Sequence, residues 1–438
     1  MNLNLFLFIF FNALLNSFCL LNNDKFTSAE IAIPFKTLNE RDNVVIKLNA
    51  LGITKNCSID ITSSYQLLYF PKEIINRNNK NSNYISIVNQ DREKIKGYLN
   101  EINLEFNGNE YRKSVSIGKI NSVLIQSNNK NKIHSLGLSH FIEEENSIVH
   151  KLYNSHLISQ RQFSILYSYP DWGTLSFGKE GTLVTDMKQL QRECKANNST
   201  YWGCHLSGIY IENVDLPLED EKIKKNNINI EIEQDTIFDN GMSDVVVPRE
   251  VFNFFYHYYF DKLLFDEKKC HLYENHFYKK IICDGLENNK NKNDFENMKR
   301  IHFVFDDVVD IYLLGKYFFD KNKNFKIIYI KDNENFIFGK VFLSHYYTIF
   351  NYDEDKITFF GMFGGRYLES KINYDNKIKF KSLLNKEYKR YKIPIINKNI
   401  FALLKLLFIF VIIGNIIIFI TLNKLNKKNI DNEFLLNN

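Results

Sequence analysis

Proline and glycine are scarce in this chain, at 6 and 18 of 438 residues, so few breakers interrupt its apolar segments. An excess of one charge is missing too. Lys and Arg number 56 against 51 Asp and Glu, and a net +5 is too mild to argue for a nucleic-acid partner. The runs "SNNKNKI" and "ENNKNKNDFENMKR" read as solvated loops rather than as a basic patch. Neither CxxC nor HExxH occurs, so nothing points to a metal site, and no cofactor is expected.

What is abundant is apolar and aromatic. Hydrophobic residues make up 45% of the chain, with 38 Phe and 25 Tyr, enough for a substantial core. The length suits two or three domains, or one large bilobal one. Residues 1–21, "MNLNLFLFIFFNALLNSFCLL", have the apolar stretch and small-residue exit of a secretory signal but lack its basic leading region; an uncleaved anchor is the alternative. Residues 400–422, "IFALLKLLFIFVIIGNIIIFITL", reach the length of about 20 residues that a membrane-spanning helix needs. Lys405 lies near its start, where it can snorkel to the headgroups. Lys424, Lys427 and Lys428 follow and put the tail, 423–438, in the cytosol. A type I single-pass membrane protein is expected, with its bulk in the secretory lumen or outside the cell.

That compartment is oxidising. Cys194 lies close to Cys204 and Cys270 to Cys283, which suits two short-loop disulfides. Cys57 is then the odd one, buried or a free thiol, and Cys19 leaves with the signal. Asn56-Cys57-Ser58 and Asn198-Ser199-Thr200 match the N-glycosylation pattern, so Asn56 and Asn198 are candidate acceptors.

Short β-branched or aromatic segments dominate: "NVVIKLNAL", "YISIV", "EINLEF", "FSILYSY", "GTLSFG", "GIYIENV", "KIIYI" and "KITFF". They predict an all-β protein with a few short helices, among them "SIVHKLYNSHL" and "PREVFNFFYHYYFDKLLF". Residues 287–300 read as an inserted polar loop, and 367–399 as a basic stalk.

One stretch decides the function: "TIFDNGMSDVVVP", Thr236 to Pro248. Taken alone, Asn-Gly between apolar runs is a hairpin turn. Upstream, however, "SIDITSSYQLLYFP" repeats its plan. Both have apolar residues, an Asp, a serine four positions on (Ser64, Ser243), then an apolar run ending in Pro. Each is followed later by an apolar run ending in glycine, Gly137 in "SLGL" and Gly339 in "FIFGKVF". A lone turn predicts no such duplicate; two lobes, each offering one Asp, do.

From about Asn43 to about Phe360 the chain resembles a pepsin-type (A1) aspartic protease. Beyond the two Asp elements, the resemblance is carried by "LISQRQFSILYS", "YWGCHLSGIYIENVDLP" and "FIFGKVFLSHYYTIFNYDEDKITFFG". It implies a bilobal all-β fold, with lobes at 22–200 and 201–366, and fits Cys270 and Cys283 to the family's second-lobe disulfide. It also implies a dyad of Asp60 and Asp239, two carboxyls around one water that cannot both ionise. Ser63, Asn240, Gly241, Gly137 and Gly339 would support the dyad. The ligand implied is a polypeptide in the interlobe cleft, bound by a monomer.

The supporting residues depart from the family's Asp-Thr-Gly-Ser/Thr. The first motif reads Asp60-Ile61-Thr62-Ser63, exchanging the locking hydroxyl for an apolar side chain and the glycine for Thr62, where strain is expected. The second reads Asp239-Asn240-Gly241-Met242, and Met242 brings no strong hydrogen bond. Over the cleft, the stretch matching the family's tyrosine-bearing flap has Asn89 and Gln90 near the expected register, with Tyr84 and Tyr98 displaced. The expectation is an aspartic endopeptidase homologue, or alternatively an inactive pseudoprotease that binds a polypeptide or partner in the same cleft. A scaffold that ignores the cleft is the third reading.

Overall fold

The structure is a computed structural model that describes residues 30–38, 43–78, 83–88, 94–107, 114–129, 132–168, 172–179, 191–197, 200–211, 228–260, 263–264, 267–286, 288–289, 292–294, 298–361 and 365–367. All of these belong to one compact unit, Met1–Lys379. The expected signal (1–21), the stalk (367–399) apart from Tyr367, which ends a strand, the membrane helix (400–422) and the tail lie outside the described residues. Among the described residues no helix is long and apolar enough to cross a membrane.

Strands dominate, as the alternating segments predict. The first half supplies β1 (Ile31–Leu38), β2 (Asn43–Ala50), β3 (Ile53–Asp60), β4 (Gln66–Phe70), β5 (Asn83–Val88), β6 (Lys94–Phe106), β7 (Val115–Gln126), β8 (His134–Gly137), β9 (Gln162–Ser168), β10 (Trp172–Phe177) and β11 (Gln191–Lys195). The second half supplies β12 (His205–Ile211), β13 (Ile228–Phe238), β14 (Val245–Val246), β15 (His271–Glu274), β16 (Tyr278–Ile282), β17 (Asn288–Asn289), β18 (Lys292–Asn293), β19 (Arg300–Phe305), β20 (Val309–Leu314), β21 (Ile327–Ile330), β22 (Phe336–Phe338), β23 (Tyr347–Asn351), β24 (Lys356–Phe360) and β25 (Gly365–Tyr367). The predicted helices form at Ile148–Asn154 and Arg249–Phe254. Within the predicted polar loop, β17 and β18 pair as a small hairpin.

The sheets carry the duplication at the level of topology. The first contains the order β2-β3-β8-β4-β7-β6-β5, the second β12-β13-β22-β14-β21-β16-β15. The sense of pairing repeats as well. β3 runs parallel to β8 and β13 parallel to β22. β4 lies antiparallel to β8 and β14 antiparallel to β22. β4 and β14 then run parallel to β7 and β21. The hairpin reading of Asn240-Gly241 fails here. β13 and β14 are not partners, because β22 is inserted between them. The tight hairpin turn of the region is instead Leu51-Gly52, where both residues have positive φ (54° and 75°) and join antiparallel β2 and β3.

The halves share one sheet beneath these loops. β23 and β24, late in the chain, pair with β9 and β11, extending the order β11-β24-β23-β9-β10-β1 into the first sheet. At the turn after β23, the Arg161 guanidinium meets Asp353 at 2.6 Å, and the Arg161 N–H donates to the same carboxylate at 2.9 Å. The abundance of Phe is spent in the core of the second half. Phe238, Phe303, Phe305, Phe338, Phe342 and Phe359 are all buried, with ring centroids as close as 4.5 Å (Phe338–Phe342). Disulfides Cys194–Cys204 and Cys270–Cys283 form; the second closes the β15–β16 hairpin, and Cys57 is free and buried.

Candidate active site

Asp60 ends β3, and Asp239 directly follows β13. Each strand stops because its parallel partner ends in the same register: Asp60 stands opposite Gly137, and Phe238 opposite Phe338 with Gly339 next. The two glycines do identical work. A Cβ on Gly137 would sit 2.5 Å from the carbonyl oxygens of Ser63 and Tyr65. A Cβ on Gly339 would sit 2.6 and 2.1 Å from those of Met242 and Asp244, the matching positions of the second motif. Only a residue without a side chain lets the loop close this tightly. Gln66, buried, completes the first loop: its carbonyl accepts the Gly137 N–H (2.9 Å), and its amide donates to the Gly137 and Asn146 carbonyls (3.1 and 3.0 Å).

The Asp60 carboxylate is well served. Its Oδ1 accepts the backbone N–H groups of Thr62 and Ser63, both at 3.0 Å, and the Thr62 hydroxyl at 2.5 Å; its Oδ2 accepts the Ser135 hydroxyl at 3.3 Å. The strain expected from Thr in place of glycine does not arise, since Thr62 is absent from the positive-φ residues. Gly241, its counterpart, has no positive φ either, and a Cβ there would meet only Asp239 Oδ1, at 3.2 Å. Both positions therefore tolerate a side chain, and Thr62 uses its own to grip Asp60. Ser63 contributes through its backbone, while its hydroxyl donates to the Tyr65 carbonyl (3.0 Å). Asp239, buried, accepts the Gly241 N–H at 2.8 Å.

Asn240 joins the two motifs. Its Oδ1 accepts the Ile61 N–H at 3.2 Å, and its Nδ2 donates to the Ile59 carbonyl at 2.9 Å. One amide thus bridges the residues on either side of Asp60, from the position next to Asp239. Ile61, wholly buried, offers only its backbone and packs. Trp202 braces the loops from behind: its indole donates to the Leu138 carbonyl (2.8 Å), and its own carbonyl accepts the N–H of Phe238 (2.7 Å). Tyr352 donates to the Ser139 carbonyl at 3.0 Å. Trp202, Tyr352 and Gln66 carry no local motif that sequence reasoning singled out as a site, and their partners lie far off in the chain.

Burial shapes the ionisable neighbours. His134, on β8, accepts the Tyr69 N–H at Nδ1 (3.1 Å), and its Nε2 is buried with no partner. Burial, aided by the charge of Lys55, pushes this imidazole down to about 4. The Cys57 thiol is pushed well up by burial and by Asp60, so it stays protonated and inert. Tyr167 on β9 is pushed up by burial and by Asp239, against a smaller opposing pull from Asn240.

In the flap stretch, Tyr84 and Tyr98 face each other across the β5–β6 hairpin with ring centroids 5.0 Å apart. Residues 89–93, with Asn89 and Gln90, lie outside the described residues, as does Asn198. Asn56 sits within β3, half-buried, opposite Lys47, and the Ser58 hydroxyl of its sequon donates to the His134 carbonyl. Among the described residues no group of three or more His, Cys, Asp or Glu is placed to hold a metal.

The sequence of residues 52–361 matches the family model of eukaryotic aspartyl proteases. Among solved structures, basic 7S globulin from soybean superposes with a TM-score of 0.54 at 10% sequence identity, covering 78% of this chain and 98% of that one. This likeness is one of fold. Among curated proteins, none matches significantly in sequence.

Proposed function

For a chain that belongs to the eukaryotic aspartyl protease family, we infer an endopeptidase that hydrolyses polypeptides through Asp60 and Asp239. The observation that carries this reading is the Asn240 bridge, which ties the backbone on both sides of Asp60 to the residue beside Asp239. In the mechanism this reading implies, two carboxyls face one water, and like charges so placed cannot both ionise, so the pair shares a proton. The ionised one removes a proton from an attacking water, and the protonated one donates to the scissile carbonyl. The donors around Asp60 fix its rotamer, and orientation is what a general base most needs. The polypeptide lies in the cleft under the β5–β6 hairpin.

A pseudoprotease that binds a polypeptide without cutting it is the second reading. It is favoured by Met242, which brings no hydroxyl to the second motif, and by the mutual pairing of Tyr84 and Tyr98. The two readings separate in one experiment. The endopeptidase cleaves an unfolded protein in acid, loses that activity in Asp239→Asn, and binds a statine-type transition-state mimic tightly. A bound peptide with no turnover at any pH establishes the second reading instead. The apolar runs at 1–21 and 400–422 support a lumenal or extracellular domain on a single helix. Protease protection of intact vesicles tests this: a domain digested from the cytosolic side ends the type I reading.

A further inference from the structure

One hydroxyl reaches Asp60 from outside its own loop. β8 is flanked by β3 on one edge and by β4 on the other, and all four of its residues, His134–Gly137, are buried. A strand so enclosed usually takes apolar side chains, yet this one carries Ser135. Parallel pairing sets Ser135 opposite Ser58 and Gly137 opposite Asp60. Ser135 and Asp60 therefore lie on the same face of the sheet, one side-chain repeat apart. The Ser135 hydroxyl donates to Asp60 Oδ2 at 3.3 Å, its partner among the described residues.

The two oxygens of this carboxylate are served differently. Oδ1 accepts three donors, all from the loop: the N–H groups of Thr62 and Ser63 and the Thr62 hydroxyl. A carboxylate oxygen offers about two lone-pair sites, so Oδ1 has no room for a proton. Oδ2 accepts Ser135 alone among the described residues, which leaves a site on it open. A proton that enters or leaves Asp60 does so at Oδ2. Ser63, which the motif places to support the dyad, spends its hydroxyl on Tyr65, donating to the carbonyl at 3.0 Å and accepting the N–H at 3.3 Å. We propose that Ser135 is a positioning residue for Asp60: its hydroxyl fixes the direction of Oδ2, so that the open lone pair of that oxygen meets the attacking water. A carboxylate held at both oxygens cannot turn about its own axis, whereas one held at Oδ1 alone can tilt away from the reacting geometry. The hydroxyl for Oδ2 thus comes from the enclosed strand rather than from the loop.

This inference rests on the endopeptidase reading, and its test tells the two failures apart. In the full-length chain, Ser135→Ala removes the hydroxyl and leaves the three Oδ1 donors in place. The expected result is kcat lowered about tenfold with KM unchanged, and a statine-type mimic bound more weakly by a similar factor, the mark of an interaction that strengthens in the transition state. Ser135→Thr returns a hydroxyl on a side chain suited to a strand and should recover most of the rate. A role in packing alone lowers the melting temperature without splitting kcat from KM. An active wild type whose Ser135→Ala variant keeps kcat within about twofold overturns the proposal and leaves the endopeptidase reading standing. A Ser135→Thr variant as slow as Ser135→Ala does the same. A wild type that neither cleaves nor binds the mimic ends both.

Discussion

Acid should weaken this fold through His134, and the size of the effect follows from its surroundings. The ring is wholly buried on β8, tilted against Phe70 with centroids 5.1 Å apart, with Nδ1 taken by the Tyr69 N–H and Nε2 facing no partner. A second proton would break the Tyr69 bond and place a cation near Lys55 in an apolar site. The imidazole therefore titrates at about 4 in the folded chain, against 6.5 for an unperturbed one. Between those values the unfolded chain binds a proton that the folded chain refuses, so stability falls as pH falls through that window and is flat above it. The full shift amounts to about 3 kcal/mol at 1.36 kcal/mol per pH unit. His345 is lowered to the same value by burial, with Nδ1 against the Val341 carbonyl at 2.9 Å, but its residue keeps some exposure and we count it at about half that contribution. Set against the 5–15 kcal/mol typical of a domain, about 4–5 kcal/mol from the two rings is a large share. The assay is denaturant unfolding at a series of pH values between about 7 and 4, for the wild type and for His134→Gln, whose amide oxygen can still accept the Tyr69 N–H. The wild type should lose about 3 kcal/mol more than the variant across that range. Parallel curves would refute the reasoning and mean that His134 binds its proton in the folded state.

Three further outcomes are expected. Gly339→Ala should unfold or severely destabilise the second lobe, by more than about 3 kcal/mol, because its Cβ meets backbone oxygens at 2.1 and 2.6 Å; a thermal melt within a few degrees of wild type contradicts this. Asn240→Ala leaves the buried Ile61 N–H and Ile59 carbonyl unpaired and should cost about 2–5 kcal/mol in denaturant unfolding, whereas Asn240→Thr should recover part of it. Thr62→Val keeps the backbone donors of Asp60 but removes the hydroxyl, and should cost about 1.5–3 kcal/mol at neutral pH as a bond to a charged acceptor; a loss below roughly 0.5 kcal/mol would show that the Thr62 hydroxyl does not hold the carboxylate.

The Asp pair was legible because duplication is a property of sequence. Two motifs with matching serines and matching downstream glycines needed no knowledge of what they touch. The strand segments were legible for a related reason: side chains alternate along β6, so Ile102, Leu104 and Phe106 point inward together. What stayed hidden depends on partners brought from far along the chain. Asn240-Gly241 carries the local signal of a hairpin, yet β22, about a hundred residues later, inserts between the strands and overrides it. Strain at Thr62 was inferred from the family's glycine, but the backbone there stays within ordinary dihedral space, so the side chain costs nothing and gains a bond. Gln66 and Trp202 look like ordinary core residues until Gly137 and Leu138 are set beside them.

These hidden contacts change how the departures from the family pattern should be weighed. Judged residue by residue, Ile61, Thr62, Asn240 and Met242 read as four losses, and their rate penalties would multiply. The structure couples them. Thr62 brings a hydroxyl to Asp60 from one position earlier than Ser63 would. Asn240 has both a donor and an acceptor on one side chain, so it makes from the second motif alone the two cross-motif bonds that Ile61 cannot reciprocate. Functions of the missing groups have thus moved to neighbours, and penalties that share a compensation do not multiply. The exception in the loops themselves is Met242, whose side chain brings no hydroxyl to the second motif. That leaves the second motif as the place where the competence of this site is decided.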